Sequence, residues 1–252
     1  MESVSLRIGV MNLQFAVGTT KGYWQYIISS PRYLLPHSIK PLIQASETIE
    51  SCSIDVVLIT ELANESFRSN FGSQLETIAQ HAKIPYRRYF SGIETAVWSE
   101  GNGVLSQYEI LGTKLHPLPS GYVPRVMGET RLKVGETEIA VYVAHLALGS
   151  RARKKQMAEV LKIVAGETSP FLLGGDFNTR NTGELEDVAL ALSTHRQSPP
   201  SFPSWRPVYH LQALFLSKHF EVRKTSVLQS HPFSDHATLI VEADMKVPTK
   251  PL

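Results

Sequence analysis

Short β-rich runs recur along the chain, several with no helix between them, and they most severely limit what it can fold into. They fall at residues 6–13, 56–61, 103–106, 131–134, 138–146, 171–176, 211–217, 221–228 and 237–243, marked by β-branched content and flanking turn residues. Helical periods separate only some of them. Within residues 38–51, Ile39, Leu42, Ile43 and Ile49 share one face, and Phe67, Phe71, Leu75, Ile78 and Ala82 do the same further on. A third helix is expected after Ser150, carrying Met157, Leu161 and Val164 and stopping at Gly166, where a C-cap glycine belongs. Strands that follow one another directly need a second sheet to bury against. The order therefore predicts an α+β fold in which sheets pack face to face with helices outside.

Of the 252 residues 42% are hydrophobic, enough for a sizeable core, which excludes a disordered tail, a collagen or a disulfide scaffold. The 25 Lys and Arg against 23 Asp and Glu leave a net charge of +2. A histone-like coat is excluded, whereas a local basic patch still fits inside so small a total. The lone cysteine, Cys52, forms no intramolecular disulfide and requires no oxidising compartment. Prolines are dispersed apart from Pro199, Pro200 and Pro203, and no linker, repeat or low-complexity tract breaks the chain. One domain over residues 1–252 is expected, with a short tail over residues 245–252. The first residues show no leader pattern and no apolar window approaches the ~18 residues of a membrane span, so the expectation is a soluble, cytoplasmic protein, taken as a monomer.

Polar residues stand where apolar strands end. Asn12 closes Ile8-Gly9-Val10-Met11, Glu61 closes the run from Val56, His145 closes the run from Val141, and Asp176 with Asn178 closes Phe171-Leu172-Leu173-Gly174-Gly175. In sheets flanked by helices, ligands bind beyond the carboxyl ends of strands, so these residues would converge on one rim. Any one alone reads as the start of a solvated loop; several strands ending alike shift the balance toward a site. A spacing of two puts Asp176 and Asn178 on one face while Phe177 points into apolar packing, although Gly-Asp-x-Asn is equally an ordinary turn. Phe233-Ser234-Asp235-His236-Ala237 precedes the last strand, and Asp235 and His236 serve one site only if the chain bends there. At such a bend a carboxylate suits a hard cation and an imidazole a phosphoryl oxygen; a satisfied surface pair is the other reading.

As a set, Asn12, Glu61 in Val57-Leu58-Ile59-Thr60-Glu61, Gly101-Asn102-Gly103-Val104-Leu105-Ser106, Ala144-His145-Leu146, Gly175-Asp176-Phe177-Asn178, Ser201-Phe202-Pro203-Ser204 and Ser234-Asp235-His236 resemble the endonuclease/exonuclease/phosphatase family, in its order and over nearly the whole chain. The resemblance implies a four-layer α/β/β/α sandwich of the DNase I type, with two mostly antiparallel sheets and one metal-dependent phosphoesterase site. By that resemblance Glu61, supported by Asn12, and Asp235, directly or through water, form the ligand set for Mg²⁺ or Mn²⁺. Oxygen donors and a single distant cysteine speak against structural zinc. Asp176 is similar to the residue that orients or deprotonates the attacking water, and Asn178 to its neighbour holding the phosphate or that water. His145 and His236 resemble the histidine pair that contacts the phosphate and moves protons. Asn102 is expected to assist by hydrogen bonding.

One position departs from the family pattern. The strand before the last carries, in the family, an Asp that accepts a hydrogen bond from the catalytic imidazole. Here Gln212, in His210-Leu211-Gln212-Ala213-Leu214-Phe215-Leu216-Ser217, holds that place. An amide oxygen fixes the ring tautomer but does not stabilise an imidazolium as a carboxylate does. Gln212 is therefore expected to serve the catalytic set, with Gln212→Asp preserving or raising turnover; a weakly active or non-catalytic phosphate-binding relative is the alternative.

The expected function is a divalent-metal-dependent hydrolase of phosphate esters, a phosphodiesterase or nuclease acting on DNA or another nucleic acid. Phospholipids, inositol phosphates or small metabolites are the alternative substrates. Arg151 and Arg153 begin the helix behind His145, where cations oppose the helix dipole unless an anion is near, and with Arg125 they are candidate phosphate contacts. Arg87 and Arg88 are further ones, and a solvated basic face is the bland reading of all of them. The near-neutral charge weakens the case for extended duplex, whose binding rests on several phosphate neutralisations. The aromatic stretch of residues 22–35 is read as core packed over the sheet edge rather than a lid, and Trp205 as lining the cleft or pinning its loop.

Overall fold

The computed structural model describes residues 3–29, 33, 35, 36, 38–121, 123–229 and 233–246. Two mixed sheets of six strands each form its centre. The first contains β1 (Ser3–Asn12), β2 (Val56–Leu62), β3 (Tyr86–Glu94), β4 (Ser99–Ser106), β11 (Phe220–Leu228) and β12 (Thr238–Lys246) in the order β11-β12-β1-β2-β4-β3. The second contains β5 (Glu109–Leu118), β6 (Arg125–Val134), β7 (Thr137–His145), β8 (Phe171–Asp176), β9 (Thr194–Gln197) and β10 (Gln212–Ser217) in the order β5-β6-β7-β8-β10-β9. Each has one parallel pair, β1 with β2 and β7 with β8, among antiparallel neighbours. A parallel pair needs a crossover. Helices α1 (Trp24–Ser29) and α2 (Lys40–Ser51) supply it between β1 and β2, and α4 (Ser150–Val164) supplies it between β7 and β8. The outer layers are completed by α3 (Gln74–His81) against α2 and α5 (Thr182–Leu192) against α4.

Period-two alternation sorts the apolar residues into three cores. Leu6, Ile8 and Val10 of β1, Val56 and Leu58 of β2, Leu172 of β8, and Leu214 and Leu216 of β10 meet between the sheets. Their neighbours in sequence point the other way. Val57 and Ile59 pack with Leu42, Ile49, Leu75 and Ile78 of α2 and α3, while Leu173 and Phe215 pack with Met157, Val160, Leu185 and Val188 of α4 and α5. Central strands are thus apolar on both faces, as strands covered on both sides must be. The observed fold is the four-layer α/β/β/α sandwich.

The strands that sequence patterning passes over, β3, β5 and β9, all lie at sheet edges. An edge half open to water carries no clean apolar alternation: β3 opens Tyr86-Arg87-Arg88, and β5 holds Lys114, His116 and Pro117. The helical period read from Phe67 to Ala82 is broken. A 3₁₀ turn at Phe67–Ser69 is followed by Asn70 and Phe71 in the left-handed conformation, and α3 begins at Gln74, where Ser73 Oγ accepts the N–H of Glu76 at 3.2 Å. Phe67 and Phe71 are exposed instead of joining the core. Helix α4 ends at Val164 with Ala165 as its cap, one residue before the expected Gly166. The sequence reading places no helix at α1 or α5. Met245 and Lys246, read as tail, belong to β12, and residues 247–252 of that tail lie outside the described residues. No helix among the described residues is long and apolar enough to cross a membrane.

Candidate active site

Asn12 and Glu61 close the parallel pair of the first sheet, and His145 and Asp176 close that of the second. One amide joins the two ends: Asn12 Nδ2 donates to Glu61 Oε1 at 2.9 Å and to Asp176 Oδ2 at 3.0 Å. Its own oxygen turns away and accepts the N–H of Gln14 at 2.9 Å. Asn12 therefore presents nitrogen, not oxygen, to the carboxylates.

Local backbone aims the other side chains. Pairing of β2 with β4 is irregular between Ile59 and Leu62, and within that bulge Glu61 adopts a φ of 56°, which turns its carboxylate toward Asn12. At Gly175 the φ is 137°, and a Cβ there would run into the carbonyl of Ala144 on β7, so only glycine lets the two strands meet immediately before Asp176. Asn178, also left-handed at φ 51°, gives its N–H to Asp176 Oδ1 at 2.9 Å and its side-chain Nδ2 to the carbonyl of Leu146 at 2.8 Å. Tyr26 Oη, from α1, donates to Asp235 Oδ2 at 2.5 Å.

A cavity of about 650 Å³ opens over this cluster, and Glu61, His145, Asp176, Asn178, Asp235 and His236 all line it. So do Glu100 and Arg125, which complete a chain of contacts. Arg125 pairs with Glu100, and its Nη1 donates to His145 Nδ1 at 2.8 Å. A guanidinium only donates, so the neutral ring carries its proton on Nε2, 3.7 Å from Glu61 Oε1. Burial, with the Arg125 charge beside it, holds the His145 imidazole well below its ordinary range. His236 is lowered too, by burial against a smaller opposing pull from Asp235. Its Nε2 lies 3.6 Å from Asp176 Oδ2, its Nδ1 is buried with no hydrogen-bond partner among the described residues, and its ring tilts against Phe202 at 4.8 Å between centroids.

The acids shift the opposite way. Burial, reinforced by the charge of Asp235, pushes Glu61 up to about 8, and burial pushes Asp176 up to about 6 against the hydrogen bonds of Asn12 and Asn178. Asp235 is raised as well, again chiefly by burial. These carboxylates are short of nearby positive charge. Glu61, His145 and Asp176 come together within 4.8 Å; the two carboxylates suit a divalent cation, and the His145 Nε2–H stands beside them as a donor. Of the ligand set expected from sequence, Glu61 is in this cluster, Asn12 holds it in place, and Asp235 stands beside it under Tyr26.

Gln212 is a correction. It pairs with Asp176 across β10 and β8, but with its amide turned over about its terminal bond, the orientation that satisfies both ends, its oxygen accepts the backbone N–H of Asn12 at 3.1 Å, and its nitrogen donates to the carbonyl of Ala237 at 2.8 Å and to Ser201 Oγ at 3.2 Å. With those groups satisfied it ties β1 to the loops and makes no bond to the ring of His236. Asn102 is likewise spent on structure: its Nδ2 donates to the carbonyl of Val126 at 3.0 Å, joining the sheets, and it does not line the cavity. Arg153 does line it, yet its Nε meets Glu184 at 3.2 Å and its Nη1 the carbonyl of Leu148 at 2.8 Å. Arg151 is exposed on a neighbouring depression, and Arg87 and Arg88 lie on edge strand β3, with Arg87 paired to Glu76. The aromatic stretch is not core: Tyr23 and Trp24 are exposed, Tyr26 reaches the site, and Leu34 falls outside the described residues. Trp205 pins its loop, packing edge-on against Tyr23 and Tyr26.

Sequence reasoning misses three polar residues of the cavity wall, Glu100, Tyr26 and Arg180. The alternation Glu100-Gly101-Asn102 in β4 is the signal for the first, lost when that strand is started at residue 103. Arg180, whose guanidinium lies 4.4 Å from the Tyr209 ring centroid, follows Asp176-Phe177-Asn178 at the same spacing of two.

Comparison with known proteins places these observations. Solved structures of the same shape include an endonuclease/exonuclease/phosphatase family protein of Bacteroides thetaiotaomicron, 16% identical over 98% of this chain and 100% of that one with a TM-score of 0.74. A mannosyl-6-phosphatase of the same bacterium is 17% identical over 94% and 99% with a TM-score of 0.69. The catalytic domain of human Nocturnin is 17% identical over 96% of each chain, also with a TM-score of 0.69. Likenesses at such identities are likenesses of fold, and no curated protein matches the sequence significantly. The sequence pattern of one family does match, over residues 37–236 and so over every strand end of the cavity except that of β1, and by it this chain belongs to the endonuclease/exonuclease/phosphatase family.

Proposed function

We propose that the chain is a hydrolase of phosphate esters that requires a divalent cation, Mg²⁺ or Mn²⁺. The observation that supports this reading best is the meeting of Glu61, Asp176 and His145 within 4.8 Å under one cavity. Glu61 and Asp176 would hold the cation, whose charge offsets that of the buried carboxylates and of the phosphoryl oxygens, with His145 beside it as a donor.

The chain's own residues supply the rest. Asp176, with its acid near 6, is ionised at neutral pH and fixed by Asn12 and Asn178, so it can orient a water and accept its proton. His145, neutral with Nε2–H directed away from Arg125, donates a hydrogen bond to a phosphoryl oxygen. His236, 3.6 Å from Asp176, is placed to relay the proton.

The substrate reading narrows from extended nucleic acid toward a compact phosphate ester. Arg125 and Arg153 are already paired with Glu100 and Glu184, which leaves Arg180 as the cavity arginine without a carboxylate partner among the described residues. Duplex binding needs several free cations. A nucleic-acid strand stays as the second reading on one observation, the Tyr23, Tyr26 and Trp205 cluster at the mouth, since aromatic faces stack on bases. A panel of bis-p-nitrophenyl phosphate, inositol phosphates, phospholipids, plasmid and single-stranded DNA, run with Mg²⁺, Mn²⁺ or EDTA, tests both. Cation-dependent hydrolysis that is lost in Asp176→Ala is expected. Absence of hydrolysis under every condition overturns the enzyme reading, and preference for DNA over the small esters reverses the order of substrates.

A further inference from the structure

One helix beside the site is built inside out. In α1 the polar residues turn inward: Gln25 Oε1 accepts the N–H groups of Thr20 and Lys21, both at 2.8 Å, Ser29 Oγ donates to the Gln25 carbonyl at 2.7 Å, and Tyr26 reaches Asp235. Its apolar residues face water. Trp24, Ile27 and Ile28 are 56%, 79% and 63% exposed, and Tyr23, just before the helix, is 58% exposed. A surface helix ordinarily does the reverse, because each outward isoleucine forgoes the burial it would gain on a core. The helix is held this way by the Tyr26 bond to Asp235 and by the edge-on packing of Tyr23 and Tyr26 on Trp205, at 5.5 and 6.3 Å between ring centroids.

A second observation concerns charge. Residues 13–46, 146–158, 177–183 and 188–220 contain no Asp or Glu. Each of these segments contributes to the cavity wall, through Tyr26, Leu148, Arg180 and Phe202 respectively. Lys21, Arg151, Lys154, Lys155 and Arg206 stand exposed on them, together with Leu148 at 79% and Val208 at 51% exposure. Exposed cations and exposed apolar side chains therefore stand on the same segments that form the rim of the cavity, while Glu61, Glu100, Asp176 and Asp235 line the cavity itself.

We propose that this rim is a membrane-docking face. Trp24, Ile27, Ile28 and Leu148 enter the acyl boundary of an anionic bilayer, and Lys21, Arg151, Lys154, Lys155 and Arg206 meet its headgroup phosphates. A polynucleotide would use the cations but gains nothing from isoleucines directed at solvent, and a second copy of the chain would bring like charges together. In this pose the cavity mouth sits at headgroup depth. Adsorption by this face does not depend on the phosphoesterase reading, so either stands if the other fails.

The test is flotation of the full chain with phosphatidylcholine vesicles, with and without phosphatidylserine, in EDTA so that no lipid is turned over. Binding is expected to need the anionic lipid, to fall at high salt, and to shift Trp24 fluorescence to the blue. Ile27→Glu with Ile28→Glu changes exposed positions outside the catalytic set, and its melting curve shows whether the fold is kept. That variant should bind ~10-fold or more weakly, and Lys154→Glu with Lys155→Glu should lose the dependence on phosphatidylserine. A wild-type chain that does not float, or flotation indifferent to the isoleucine variant, overturns the proposal. So does a dimer in sedimentation velocity, or retention on single-stranded DNA, that the isoleucine variant abolishes while vesicles go unbound.

Discussion

Arg125 decides which nitrogen of His145 is basic. Because the guanidinium and burial act in the same direction on that ring, Arg125→Met is expected to move the His145 titration upward while leaving it below the free-imidazole value, a change followed by NMR. Turnover should fall by on the order of 10²-fold, since the ring loses the contact that fixes its tautomer. Asp176→Asn separates function from stability more sharply. It removes a carboxylate that burial disfavours, so the cation-free protein should melt at a higher temperature while hydrolysis drops by on the order of 10³-fold. Gln212→Asp now carries the opposite expectation from the one the sequence suggests. The shorter side chain replaces a donor to the Ala237 carbonyl with a carboxylate, at a cost of about 1–3 kcal/mol, and it does not reach His236, so turnover should not rise; denaturant midpoint and kcat measured together decide it. Asn12, Glu61, His145 and Asp176 were legible because each ends an apolar strand. The partners of Gln212 and Asn102 were not, because an amide's role depends on which carbonyls and N–H groups the far strands bring to it.

Elements were legible in proportion to how deeply they are covered. Central strands such as β2 and β8 bury both faces and read as apolar runs, whereas β3, β5 and β9 sit at edges and are half polar. Helix α1 escaped detection for a related reason: its outward apolar face looks in sequence like a core segment. The junction of β7 and β8 makes a prediction at this scale. Gly175→Ala introduces both an unfavourable φ and a Cβ against the Ala144 carbonyl, so it should cost about 1–3 kcal/mol and displace Asp176 with loss of turnover. Gly112→Ala on β5 meets open space and serves as the control, expected within about 0.5 kcal/mol of the parent in urea unfolding.

The whole molecule carries a pH signature. Glu61 and Asp176 are raised to about 8 and about 6, so without a cation their contribution to stability is greatest below their unfolded values near 4 and is lost as pH rises through the folded ones. His145 and His236 are lowered and act oppositely, contributing above the unfolded value near 6.5 and losing that contribution as pH falls. In EDTA the melting temperature should therefore decline toward pH 8, and a divalent cation should restore it there with release of protons, measurable by calorimetry in buffers of different ionisation heat. Net charge, which in sequence says little, conceals an uneven distribution: four acids line the cavity, and the segments that carry much of its wall hold exposed cations and no acid. The topology has a temporal consequence. The chain leaves the first sheet after β4, builds all of the second, and returns as β11 and β12 to pair with β1, Ser3 opposite Lys246. During synthesis β1 waits along an open edge, and Asp235 and His236 reach their neighbours only when that edge is zipped shut. On the proposed reading, hydrolysis therefore requires β12 to be paired with β1, because Asp235 and His236 lie immediately before that strand.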